Sequence, residues 1–168
     1  RWQRDEADFV EVTVGVGRLQ AMLRDRSARY SHVPASSSPG ALMVLPPFEE
    51  HALGVFVVAD QMRRRGISVA VAVGPSPSDL RARAEGRGLG MIGISCATRR
   101  AIPALAGYVG DLRATGPDLP PIILGGPAVE IEPGIAEICG ADAAVRSVEE
   151  AVAITGLASA CEPLCISG

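Results

Sequence analysis

Three short clusters hold the residues best able to do chemistry. Glu49-Glu50-His51-Ala52-Leu53-Gly54 contains one of the chain's two histidines, with carboxylates one and two positions before it. A carboxylate beside an imidazole is a metal-site pairing, in which the acid orients the ring and the other ring nitrogen is left for the metal. Ser95-Cys96-Ala97-Thr98 brings two hydroxyls together. Gly125-Gly126, followed by Pro127, allows a flat or bulky group close to the backbone, because no Cβ obstructs it. Each cluster also has a plainer reading. A histidine at a helix start often only decorates it, Ser95 is compatible with a helix cap, and glycines are common in the turns of doubly wound sheets.

Other candidates are weaker. His32 lies in a Pro- and Ser-rich stretch and reads as solvated. Cys161 and Cys165 cannot close a zinc site by themselves, and Cys96 reads as core. Arg63-Arg64-Arg65 complements a helix dipole. Glu130 and Glu132 lack an obvious partner, and no nucleophile–base pair is evident, so the chain is not expected to be an enzyme.

The elements that must position these clusters follow from hydrophobic patterning. Aliphatic runs at Ala41–Leu45, Ile67–Val73, Gly90–Cys96, Pro121–Leu124 and Ala143–Arg146 predict five strands. Between and after them, Glu49–Arg65, Ser78–Glu85, Ala101–Ala114, Pro133–Cys139 and Val148–Leu157 predict five helices. This alternation implies an α/β fold, a five-stranded parallel doubly wound sheet with helices on both faces. Ligands of such sheets bind beyond the carboxyl ends of the strands, here at loops 46–51, 74–78, 95–100, 125–133 and 146–148. All three clusters fall on that edge.

Before this domain, residues 1–30 read as a helical segment, although Val10, Val12, Val14 and Val16 alternate as a strand would. Residues 31–40 read as a linker, 41–157 as the α/β domain, and 158–168 as a Cys-containing tail. The abrupt opening at Arg1-Trp2 leaves room for a further domain N-terminal to residue 1.

Bulk composition excludes several classes. Hydrophobic residues make up 48% of the 168 but aromatics only 4%, an aliphatic bias that suits parallel sheets. The net charge of −3 argues against direct nucleic-acid binding. All 16 basic residues are Arg, which reads as genome composition. No apolar run is long enough to span a membrane, and no leader is recognisable, so a cytoplasmic location is expected. Four scattered cysteines do not make a disulfide framework.

From 41 to 157 the chain resembles the cobalamin-binding domain of corrinoid enzymes and regulators, which has a flavodoxin-like sheet. That family's signature is Asp-x-His-x-x-Gly after the first strand, Ser-x-Leu after the third and Gly-Gly after the fourth. Here it reads Glu49-x-His51-x-x-Gly54, Ser95-x-Ala97 and Gly125-Gly126. The resemblance implies that His51 ligates cobalt and the acid orients its other nitrogen, with Glu50 and Gly54 beside them. It also implies that Ser95, Ala97, Gly125 and Gly126 line a slot for the nucleotide tail. Two departures follow. Glu49 adds a methylene, so its bond to His51 must be rebuilt or lost, and Ala97 removes packing from the slot. Haem is therefore the alternative to cobalamin.

Trp2-Gln3-Arg4-Asp5-Glu6, Phe9-Val10-Glu11-Val12-Thr13 and Arg18-Leu19-Gln20 are similar to the helix preceding this domain in photosynthesis antirepressors of the PpaA, AerR and AppA group. That resemblance implies a light- or redox-responsive sensor contacting a transcriptional repressor of the PpsR/CrtJ type. The competing expectations are a corrinoid methyl carrier and a ligand-free protein-binding scaffold.

Overall fold

In the computed structural model, the residues described are 39–86 and 88–157, with Val14, Gly15, 17–19, Ala21, Met22 and Asp25. Those eight N-terminal residues are all helical, so Val14 and Gly15 follow the helical reading rather than the alternating one. The linker reading over 31–38, Cys161, Cys165 and the rest of the tail lie outside the described residues.

Five parallel strands form one sheet: β1 Gly40–Leu45, β2 Val69–Val73, β3 Leu89–Ser95, β4 Ile122–Gly125 and β5 Ala143–Ala144. Their spatial order is β2-β1-β3-β4-β5, the flavodoxin-like order. The chain leaves β1 toward one edge and returns on its other side as β3. The loops after β1 and β3 therefore flank the switch point, where such sheets open a crevice.

From residue 39 on, the described helices are α1 Ala52–Arg64, α2 Pro77–Ala84, α3 Ile102–Ala114, α4 Ala128–Ile131, α5 Ile135–Cys139 and α6 Val148–Thr155. The sequence predicts five; the short α4 lies in what reads as loop after Gly125-Gly126-Pro127. Element bounds also differ at functional ends. α1 begins at Ala52 rather than Glu49, because Pro46 and Pro47 cannot continue the ladder and residues 46–51 make a turn, with Glu49 N–H donating to Pro46 O at 3.1 Å. α2 starts at Pro77 behind a Ser76 cap, where Ser76 Oγ and the Asp79 carboxylate reciprocally accept backbone N–H groups. α6 stops at Thr155 because Gly156 turns left-handed, at φ 67°.

Strand alternation divides the interior into two layers. Leu42, Val44, Ile92, Ile94, Ile122 and Leu124 pack under α2–α5. Ala41, Met43, Leu45, Met91 and Ile123 face the opposite way, under α1 and α6. Among the described residues, α1 and α6 are the helices that cover this second face. Arg65 bridges them through an ion pair to Glu149, and Arg63 ties the end of α1 to the Val69 carbonyl at 2.7 Å.

Candidate functional site

The loop after β1 is braced from the side of α3. Phe48 meets the Tyr108 ring edge-on, with centroids 6.0 Å apart, and the Tyr108 hydroxyl donates to Pro75 O at 2.9 Å. Burial pushes the Tyr108 phenol up to about 12, with the nearby Asp79 charge adding to it.

Braced in this way, the loop sends Glu49 inward and His51 outward. Glu49 is the one polar residue buried among the described residues, and its side chain is 2% exposed. Its Oε1 accepts from His51 Nδ1 at 2.6 Å and from the His51 backbone N–H at 3.1 Å, while Oε2 accepts from Ala97 N–H at 2.8 Å. Burial pushes the carboxyl up. The bonds from Ala97 and His51 outweigh it, and the Glu49 pKa settles below the ordinary carboxylate value. A carboxylate can only accept, so Nδ1 carries a proton, and in the neutral ring Nε2 keeps its lone pair. The imidazole side chain is 65% exposed.

The two departures in the motif are thus joined by one group. The longer Glu49 arm makes the bond to His51 and also spans from the loop after β1 to the loop after β3. There Ala97 contributes its backbone N–H rather than side-chain packing.

Beside His51 a cavity of about 400 Å³ opens between α1, α6 and the sheet. Its depth is apolar, with Met43, Met62 and Met91 among its walls. Register explains the opening. Met43 lies beside Gly93, Gly93 beside Ile123, and Ser95 beside Gly125. Two of the positions facing α1 and α6, Gly93 and Gly125, therefore carry no side chain; the Met43 thioether takes the space over Gly93, its Sδ 2.6 Å from where a Cβ would stand, so the opening lies over Gly125. The glycines in Gly125-Gly126 have separate reasons. A Cβ on Gly125 would meet only Val145 O, at 3.9 Å, so the protein leaves that space open. A Cβ on Gly126 would lie 2.5 Å from Cys96 O, and its φ is +100°, so the backbone itself demands glycine.

The structure brings His51, Gly54, Ser95, Ala97, Gly125 and Gly126 together on this cavity. Glu49 stands behind His51. Glu50 is not part of the arrangement: its side chain is exposed and off the cavity wall, and its carbonyl accepts from Ala52 N–H. Ser95 ends β3 and is no helix cap; Thr98 precedes the 3-10 turn Arg99–Ala101 instead. Cys96 is buried as expected, and burial pushes its thiol up. Sequence reasoning missed the three methionines and Arg146, which also lines the cavity. Met43 and Met91 lie on predicted strands, Met62 on a predicted helix and Arg146 at a strand end, and the face that each takes is the signal that would bring them to the cavity.

Fold and site together define a flavodoxin-like domain with an oriented imidazole beside a deep, glycine-opened cavity at its switch point. The family model of the B12 binding domain matches residues 40–155, and the chain belongs to that family. Cobalamin is the cofactor that membership brings with it. A protein of Rhodobacter capsulatus, described as an uncharacterized 20.5 kDa protein in the bchF-crtJ intergenic region, is 37% identical over 70 residues. That match covers 40% of this chain and 36% of the relative, so it spans little more than a third of the relative's length. Among solved structures, a cobalamin-binding protein of Desulfitobacterium hafniense superposes with a TM-score of 0.60 at 17% identity, covering 84% of this chain and 69% of that one. The methanol:cobalamin methyltransferase complex MtaBC of Methanosarcina barkeri gives 0.56 at 15% identity, covering 94% of this chain and 62% of that one. Both likenesses are of fold. No helix among the described residues is long and apolar enough to cross a membrane.

Proposed function

We propose that this domain is the cobalamin-binding sensory module of a light- or redox-responsive antirepressor, non-catalytic, acting by contact with a transcriptional repressor of the PpsR/CrtJ type. The carrying observation is the Glu49–His51 pair at the mouth of the cavity. It engages Nδ1 of a largely exposed imidazole and leaves Nε2, in the neutral ring, with its lone pair available. Among the described residues no group of three or more His, Cys, Asp or Glu could hold a metal ion, so a metal at His51 brings its remaining ligands with it. A macrocyclic cobalt does so. Bound cobalamin supplies a redox-active, light-sensitive metal centre; the chain's part is to orient His51 and to house the apolar tail.

The cavity is also why cobalamin is preferred to haem. A space of about 400 Å³ walled by aliphatic and thioether groups suits an aromatic base on a tether. Haem has no such group and would leave it empty. The regulatory part rests on the residues at 2–20 that resemble antirepressors and on the relative encoded between bchF and crtJ. Binding can shift such a module only through different affinities for its two states.

A second reading, a corrinoid methyl carrier, is favoured by one observation: the acid–histidine pair is intact. Absorption titrations with cobalamin and with haem, on native protein and His51→Ala, test the ligand. The spectral change of imidazole ligation is expected with cobalamin in native protein and absent in His51→Ala. No saturable change with either tetrapyrrole would leave only the scaffold reading. Co-purification with a candidate repressor then separates sensor from carrier, since the carrier predicts methyl exchange and no repressor complex.

A further inference from the structure

We propose that Arg146 recognises the phosphodiester of the ligand's nucleotide tail, so that the cavity selects complete corrinoids over those lacking a nucleotide. The inference rests on the cobalamin reading above and goes beyond it to a residue that sets specificity.

Arg146 is the one acidic or basic side chain other than His51 among the residues lining the cavity. It follows β5 on the carboxyl edge of the sheet, in the turn between Val145, whose N–H donates to Leu124 O at 2.9 Å, and the Ser147 cap of α6. Its own N–H donates to Glu150 Oε2 at 2.8 Å. The backbone is therefore pinned on both sides, and one oxygen of the Glu150 carboxylate is engaged by the main chain. The guanidinium itself makes no ion pair with the described residues, whereas Arg65 and Arg113 are held by Glu149 and Asp142.

An exposed cation on the rim of an apolar cavity matches a ligand whose buried part is neutral and whose tether carries one negative charge. The guanidinium fork suits two phosphate oxygens at once. The thioethers and aliphatic carbons of the cavity give an anion nothing, and its hydroxyl and amide side chains, Ser95, Ser147 and Gln61, are neutral, so Arg146 is the one permanent cation that it offers. The charge of a tethered phosphate is thus directed to the rim, where Arg146 stands.

The probes are aquocobalamin, which carries the nucleotide and its phosphodiester, and diaquocobinamide, which lacks both. Native protein and Arg146→Gln are titrated with each by absorption. Arg146→Gln is expected to weaken aquocobalamin binding about tenfold or more, as for a charge-assisted hydrogen bond lost, and to leave diaquocobinamide binding unchanged. Arg146→Lys, which keeps the charge but not the fork, is expected to fall between. An equal loss for both probes, or no loss for either, overturns the assignment. If native protein binds neither probe, the cobalamin reading falls and this one with it. If native protein binds aquocobalamin and Arg146→Gln binds it equally well, the Arg146 assignment alone falls.

Discussion

Replacing Glu49 by Gln changes little in shape and reverses one of the site's two hydrogen-bonding ends. The native carboxylate faces only donors: His51 Nδ1, His51 N–H and Ala97 N–H. An amide has one oxygen and one NH2. With the oxygen toward Ala97, the NH2 faces His51, and the ring can satisfy it only by accepting at Nδ1 and moving its proton to Nε2. That tautomer has its lone pair on Nδ1, taken by the amide, and none on Nε2 for a metal. With the oxygen toward His51, the Ala97 N–H is left facing a donor in a nearly closed site. Loss of a hydrogen bond to a charged group costs about 1.5–3 kcal/mol, and removal of an outer partner of a metal-ligating histidine weakens binding about 10- to 100-fold.

The expected result for Glu49→Gln is therefore cobalamin affinity lowered by that factor in an absorption titration, with less of the imidazole-ligated spectrum at saturation. The melting temperature should fall by roughly 6–12 °C for a domain of this size. Glu49→Asp keeps the charge and is expected to retain the ligated spectrum with a smaller loss. The pH dependence has a definite sign. The folded pKa of Glu49 lies below its ordinary value of 4.5, so its stabilisation is complete above that value and is lost as the pH falls through the lower, folded one. Glu49→Gln should be less stable at neutral pH and lose less on acidification than native protein. Native affinity and spectrum in Glu49→Gln would refute the claim that this carboxylate sets the tautomer of His51.

The two adjacent glycines should part company. Gly126→Ala places a Cβ 2.5 Å from Cys96 O at a φ of +100°, so thermal melts should show a loss of about 2 kcal/mol or more. Gly125→Val should fold almost normally yet lose cobalamin binding by titration, because its side chain enters space the protein leaves empty. Tyr108→Phe leaves Pro75 O without its donor and should cost about 1–3 kcal/mol in a denaturant melt. Titrated by its tyrosinate absorbance, native protein should show a late phase at about 12 that Tyr108→Phe removes. The raised phenol contributes stability that is complete below its ordinary value of 10.0 and is lost as the pH rises through about 12.

The sheet was readable because its central strands are buried on both faces. Gly40–Leu45 is buried at every position, and such a strand must be an uninterrupted apolar run. Edge strand β2 is two residues shorter than the run Ile67–Val73 predicts, because Ile67 is buried without pairing: apolarity reports burial, and Ile67 is 5% exposed ahead of the ladder. The histidine and the glycine pair were readable for a similar reason. Motif spacing within a loop is local, and loops at one sheet edge converge by topology alone.

What the sequence concealed was long-range or carried by the backbone. The Ala97 side chain reads as a loss, a methyl where the family has Leu. Its N–H, which every residue but proline possesses, is what meets Glu49 from 48 residues away. Sequence comparison cannot weigh a main-chain donor. Glu49 and Ala97 thus read as two independent weakenings of the motif, although they meet at a single carboxylate. That connection alters the reading of both: a longer acid reaches a second partner while keeping the first. The same limit applies to Arg146. As one of 16 arginines it carries no mark in the sequence, and only its position on the cavity rim, without an ion-pair partner among the described residues, sets it apart.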